Sequence, residues 1–368
     1  MQIRSIKAYR VLQPFVSGTY AMSKGREAAA FDSVIVAMTS DSGVTGWGEM
    51  APLGSFYSAA FAAGVRAGVV EITPHLIGED PRALTRIGRL MDTVFKGHPY
   101  IKSALDMACC DLAARAAEVP MVTMLGGRTS ETAELYEVVT HGTPEAMIAN
   151  AAKSIAGGCK RLQIKVGGDV SGDVERVSAV AASVPKGTVL FCDANAGWTV
   201  YQARQFVDAT RAFDYTLEQP CATIDDCFSI RRTLDKPMVL DESVTSLQEM
   251  LEIHQKGAAD GLTLKISRLG GVSRTRQLRD LAVDLGFMVT VEDTGGAEID
   301  TAAMAHLSLS TPPENRLHAI AFHTWVTVRT AANAPPVTAS HMGIPDGPGL
   351  GIDVRPDLLG MPFLDLSA

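Results

Sequence analysis

Six charged residues recur in the second half of this chain at intervals of 23 to 28 residues: Lys165, Asp193, Glu218, Asp241, Lys265 and Asp293. Each closes a short apolar run, in "RLQIKVG", "TVLFCDAN", "YTLEQP", "PMVLDES", "GLTLKIS" and "FMVTVED". One acidic residue after an apolar run is commonly the start of a loop; six in phase describe a site. Three carboxylates lie between two lysines. Hard oxygen donors with no His or Cys among them suit Mg²⁺, and without a cation three neighbouring carboxylates repel one another. Three separate pairings with arginine are the structural alternative. A substrate carboxylate on such an ion can take up the charge left when its neighbouring carbon loses a proton, as an ene-diolate stabilised by a Lewis acid. Lysines on opposite sides could remove that proton and return it, inverting the carbon. A free lysine titrates at about 10.4, so each needs desolvation or a nearby cation to act as a base near neutrality.

In "RLQIKVGGD", strand alternation places Gln163 and Lys165 on one face. A buried strand ending on an ammonium group, with an amide two residues back, fits a cavity; a lysine reaching water from an edge strand is the structural alternative.

For one charged group to stand at the same place on successive strands, the strands must run parallel. From about residue 132, eight apolar runs alternate with amphipathic helical stretches: the six above, with "ELYEVVT" before them and "LHAIAFHT" after. Near-continuous apolar strands indicate burial on both faces. Eight over this length fit a closed (β/α)8-type barrel better than an open α/β sheet. With "ELYEVVT" as strand 1, Lys165 ends strand 2 and Lys265 ends strand 6, facing each other across the mouth where barrel enzymes keep their sites. Before the barrel, "IRSIKAYRVL" and "SVIVAMTSDSGVTGWGEM" alternate like antiparallel strands, and residues 58–118 are helical in pattern. This predicts an α+β domain over 1–130, a barrel over 131–330, and a Gly/Pro-rich tail, 331–368, that packs back on the first domain.

The net charge of −8, without clusters of Lys or Arg, argues against nucleic acid or an anionic membrane as partner. No apolar run approaches the roughly 18 residues of a membrane span, and the N-terminal stretch lacks a signal-peptide core. Six cysteines without C-x-x-C spacing read as small buried residues in a reducing cytoplasm.

The quoted motifs, with "GWGEMAPLG", "SALDMACCDLAARAAEVPMVTMLGG", "DANAGW", "EQP", "DES", "KISRLGG" and "GPGLGI", resemble the enolase superfamily over almost the whole chain. The resemblance implies that the α+β domain caps the barrel, that Asp193, Glu218 and Asp241 are Mg²⁺ ligands supported by Asn195, and that Lys165 and Lys265 are the acid/base pair. Two lysines are similar to the muconate-lactonizing branch; the mandelate racemase branch would place a His near the end of strand 7, and "MVTVEDTGG" has none. His141, His318 and His323 are expected to be structural or at the rim. The branch commonly carries Lys-x-Lys on strand 2, and here Gln163 stands at the first position, expected to touch substrate. Family habit implies a homo-oligomer.

The strand 8 region, "AIAFHTWVTV", lacks the Asp-x-Asp pair that holds a substrate ammonium in dipeptide epimerases and offers Phe322 and Trp325. A quaternary ammonium has no N–H to donate and is held by aromatic faces. Trp325 below, with Phe56 and Tyr57 of "PLGSFYSAA" above, are expected to cage it, and Asp293, Thr294 and Gly295 to line the far side. With "TYAMSKGREAAAFDS", the pattern is similar to the branch that epimerises 4-hydroxyproline betaine and racemises proline betaine, an isomerase activity on a small molecule. N-acylamino acid racemases, dipeptide epimerases and cycloisomerases are the neighbouring alternatives, and a silent betaine-binding protein is the non-enzymatic one.

Overall fold

The N-terminal alternation becomes β1 (Ile3–Pro14), β2 (Ala30–Ser40) and β3 (Thr45–Met50), an antiparallel sheet in the order β1-β2-β3. The computed structural model describes residues 1–368, Ser23 by its backbone alone. Helices α1 (Ala62–Ile72), α2 (Leu84–Val94) and α3 (Pro99–Ala116) follow. Every residue of α3 from Tyr100 to Ala114 is buried, as befits a helix that is covered all round. It lies close on β3 because Gly48 has no side chain: a Cβ there would sit 1.9 Å from the Ala104 carbonyl oxygen.

The barrel strands are β4 (Glu137–Val139), β5 (Arg161–Lys165), β6 (Val189–Asp193), β7 (Thr216–Glu218), β8 (Met238–Leu240), β9 (Gly261–Lys265) and β10 (Met288–Glu292). All seven are parallel and neighbour one another in chain order. Lys165 pairs with Asp193, Asp193 with Glu218, and Lys265 with Glu292. The eighth place differs from the expected strand. Residues 317–321 reach β10 and the stretch just before β4 by single bridges, through Leu317 N to Val289 O and Ala319 N to Glu134 O. The ladder stops there because the chain turns into a 3₁₀ helix at Phe322–Thr324. The ring is thus closed by an irregular segment.

Five of the helices that follow barrel strands start on a side-chain cap: Thr143, Asp169, Thr199, Thr223 and Ser246 each accept from a backbone N–H of the first turn. These caps end the loops on the face that carries the charged strand ends.

Cap and barrel are tied together by buried polar contacts. Glu49 of β3 accepts from the N–H groups of Ala297 and Asp300, at the start of the helix Glu298–Leu309, where a carboxylate is favoured. Asp106 of α3 accepts from Ser273 N at 2.8 Å and from its hydroxyl; Gly271, with φ +125°, leaves it room. At the C-terminus, β11 (Leu364–Ser367) adds antiparallel to the outer edge of β1, so the last residues complete the cap sheet. All six cysteines are buried and free. Among the described residues no helix is long and apolar enough to cross a membrane.

Candidate active site

A cavity opens at the carboxyl ends of the barrel strands, and Gln163, Lys165, Asp193, Asn195, Asp241 and Lys265 all line it. Lys165 Nζ lies 2.5 Å from Asp193 Oδ2. Across the ring, Lys265 Nζ is 2.6 Å from Glu292 Oε1 and 3.1 Å from Asp241 Oδ2. Asp241 Oδ1 also receives Arg268 at 2.7 Å. Glu218 accepts from Gln163 Nε2 at 2.8 Å and from Thr263 Oγ1 at 3.2 Å.

Strained backbone holds the acids in place. Asn195 and Ala196 have φ of 43° and 57°, left-handed values that an Asn tolerates and an Ala rarely adopts. The turn is closed by Asn195 N donating to Asp193 Oδ1 at 2.8 Å. The Asn195 amide also donates to Asp193 Oδ2 and to Glu242 Oε1. Gln219, in the middle of "EQP" with φ 34°, accepts from Asp241 N and Ser243 N and so sets the start of the next acidic loop.

Burial pushes the Glu218 carboxyl well above its ordinary range, and neighbouring Asp193, Asp241 and Glu292 push it further. Glu242 rises to about 7 through burial and the same neighbours, Asp241 and Asp193. Burial also works against the charge of Asp241, but Arg268 and Lys265 hold that carboxyl low. Both lysines are raised: burial opposes their charge, and Asp193 for Lys165, or Asp241 and Glu292 for Lys265, outweighs it. In this conformation each acid is turned to a nearby donor, and among the described residues no three acidic, His or Cys side chains close on one centre. The donor set itself fits a hard divalent cation: three carboxylates from adjacent strand ends, with the middle one raised by the charges beside it.

The remaining expected contacts divide. Tyr57, Asp293, Thr294 and Trp325 line the cavity. The Tyr57 hydroxyl reaches down from the cap to Asp241 Oδ2 at 2.9 Å and accepts from Lys265 Nζ at 2.7 Å. Asp293 faces the Ser267 hydroxyl and backbone N–H and the Thr294 N–H. Phe56 stands outside the lining, 41% exposed. Gly295 is also outside it; a Cβ there would meet the Phe31 ring at 2.2 Å, so its smallness lets Phe31 reach the wall. His141, His318 and His323 do not line the cavity.

Sequence reading missed several lining or supporting groups. Glu292, whose other oxygen accepts from Tyr136 OH at 2.7 Å, is the strand 7 residue in register with Lys265. Arg268 was visible within "KISRLGG" but not assigned. Tyr20, from the 19–33 segment, meets Trp325 with ring centroids 5.4 Å apart, and Phe322 meets Trp325 at 5.1 Å. The apolar wall therefore comes from Tyr20, Phe31, Phe322 and Trp325.

The barrel, its cap and this strand-end constellation define a class, the capped (β/α)8-barrel enzymes. Residues 8–126 match the mandelate racemase / muconate lactonizing enzyme N-terminal domain, and residues 146–358 match the enolase C-terminal domain-like family. The chain belongs to the enolase superfamily. Over 367 residues, 100% of both chains, it is 40% identical to the cis-3-hydroxy-L-proline dehydratase of Roseibium aggregatum. It is 28% identical over 316 residues, 84% of this chain and 85% of the relative, to the N-succinyl-L-Arg/Lys racemase of Bacillus cereus. A member of the superfamily from Roseovarius nubinhibens ISM, solved in complex with magnesium, matches with a TM-score of 0.93 at 34% identity, 100% of each chain being covered. The relatives thus include a racemase and a dehydratase, so membership establishes an enzyme family broader than the isomerases expected from the motifs.

Proposed function

We propose that this protein moves a proton at the α-carbon of a proline-type carboxylate, with Lys165 and Lys265 as the proton-handling groups. The observation that carries this reading is the placement of both lysines on one buried cavity, from strands four places apart in the ring. Asp193, Glu218 and Asp241 occupy the arc between them and would hold Mg²⁺. When bound, that ion supplies positive charge to the substrate carboxylate and makes the adjacent C–H more acidic. One lysine, in its neutral form, takes the α-proton; the opposite lysine, as an ammonium, delivers a proton to the other face. The cap excludes water through Tyr57, and burial strengthens each charge interaction inside.

The aromatic wall favours a betaine of 4-hydroxyproline or proline, for which inversion at the α-carbon gives the 2-epimer or the enantiomer respectively. Tyr20, Phe322 and Trp325 offer faces to an N-methylated cation. A second reading is favoured by the full-length likeness to cis-3-hydroxy-L-proline dehydratase. The first half is the same: the α C–H bond breaks and a lysine takes the proton. The electron pair then forms the C2=C3 bond, the C3–O bond breaks, and an ammonium protonates the departing oxygen to give water.

The test is incubation with Mg²⁺ in D₂O of L-proline betaine, 4-hydroxyproline betaine, cis-3-hydroxy-L-proline and an N-acylamino acid, followed by NMR and polarimetry. Deuterium at Cα with decay of rotation on the betaines, lost in Lys165→Ala and Lys265→Ala, is expected for epimerisation. Consumption of cis-3-hydroxy-L-proline with loss of water would establish the second reading instead. Binding without exchange on every compound would overturn both and leave a binding protein.

A further inference from the structure

We propose that Gln163 and Thr263 form a positioning pair that holds Glu218 for the cation; this rests on the reading of Glu218 as a Mg²⁺ ligand. The two residues occupy equivalent places. Each lies two residues before a lysine, in Gln163-Ile164-Lys165 and Thr263-Leu264-Lys265, so alternation sets both on the barrel interior, one layer below the lysines. From strands on opposite sides of the ring they reach the same carboxylate. Gln163 Nε2 donates to Oε2 at 2.8 Å, and Thr263 Oγ1 donates to Oε1 at 3.2 Å. Gln163 is 4% exposed, Thr263 1% and Glu218 3%, so water competes little for these bonds.

Each Glu218 oxygen therefore has one donor, and both donors are neutral. Asp193 and Asp241 differ in facing Lys165 or Lys265 and Arg268. Neutral donors orient the middle carboxylate without supplying a counter-charge, which leaves its negative charge for a divalent ion. The amide at this position thus serves the metal ligand, in place of the direct substrate contact expected from its place on the strand. Hydrogen-bond partners behind metal ligands typically account for 10- to 100-fold in metal affinity.

The experiment is calorimetric titration of the substrate-free protein with Mg²⁺, and with Mn²⁺ followed by paramagnetic resonance, on wild type, Gln163→Met, Thr263→Val and Gln163→Lys. Met and Val keep the volume and lack the donor; circular dichroism in EDTA checks each fold. Wild type is expected to bind, and Gln163→Met and Thr263→Val to weaken Mg²⁺ binding by about tenfold or more each. Gln163→Lys keeps a donor at this place, as the branch commonly does, and is expected to bind Mg²⁺ more tightly than Gln163→Met, while substrate KM of Gln163→Met approaches wild type once Mg²⁺ is saturating. If Gln163→Met does not fold, Thr263→Val decides the matter alone. Unchanged metal affinity in the folded Gln163→Met and Thr263→Val, with a raised KM in Gln163→Met, would overturn the pair and return Gln163 to the substrate. A wild-type protein that takes up neither metal would overturn the metal-site reading, and this proposal with it.

Discussion

Lys265 is held by two carboxylates, Glu292 and Asp241, and the Tyr57 hydroxyl, whereas Lys165 has one carboxylate, Asp193, and the Tyr20 hydroxyl. The two sides of the cavity are therefore not equivalent, and an asymmetric variant should expose this. Glu292→Gln keeps the shape and removes the charge that steers Lys265. In D₂O it is expected to slow α-proton exchange from the enantiomer served by Lys265 by about tenfold, a step of about 1.4 kcal/mol, and to affect the other enantiomer far less. Equal slowing of both would reduce Glu292 to a structural role. The same residue shows where the sequence falls silent. Lys165, Asp193, Glu218, Asp241 and Lys265 were legible because each closes an apolar run at a regular interval. At strand 7 the chain reads Val-Glu-Asp, with two adjacent acids that strand alternation would send to opposite faces. Both line the cavity, because the strand ends at Glu292 and Asp293 already belongs to the following turn, and only the register with Lys265 shows that Glu292 is the acid that meets the lysine.

Secondary elements were legible in proportion to their periodicity. The seven barrel strands and the buried helix α3 follow from apolar runs; the eighth run, at 317–321, reads the same way but forms only single bridges, and the Tyr20 segment carries no such run, while Tyr20, Phe322 and Trp325 supply much of the wall. Their contribution can be read through substrate choice. Trp325→Leu is expected to raise KM for L-proline betaine by about tenfold, within the range of cation–π energies, and to leave cis-3-hydroxy-L-proline nearly unaffected. An equal rise for both would mean that Trp325 only packs. In the cap, "GWGEM" gave strand β3 but not the reason for its glycines, which lies in the approach of α3. Gly48→Ala places a methyl against the Ala104 backbone oxygen, where no side-chain rotation relieves it. It is expected to cost about 3 kcal/mol in denaturant unfolding, and a loss below about 0.5 kcal/mol would show that the helix can shift outward.

Across the whole molecule, buried ionisable groups set opposing trends with pH. Burial raises the carboxyls of Glu49, Glu218 and Asp300; such groups favour the folded state at low pH and lose that contribution as pH rises through their folded values. Burial lowers four histidines, His141 and, further, His306 and His323 to about 4 and His318 to about 3. These act in the other sense: above about 6.5 they are neutral in both states, and as pH falls from there the unfolded chain takes up protons that the folded chain refuses. A wild-type melting curve mixes both families, so a single-site comparison is needed. His318 lies with its ring centroid 4.5 Å from both Tyr136 and Phe191, an aromatic setting that Phe can fill. Relative to wild type, His318→Phe is therefore expected to gain stability between pH 7.5 and pH 5, by about 2 kcal/mol. Most of that gain should appear below about pH 6.5. Paired urea unfolding at the two pH values measures it. A stability difference that stays constant with pH would mean that His318 titrates alike in the folded and unfolded chains, and that the acid response of this barrel is set by its carboxyls and the remaining histidines.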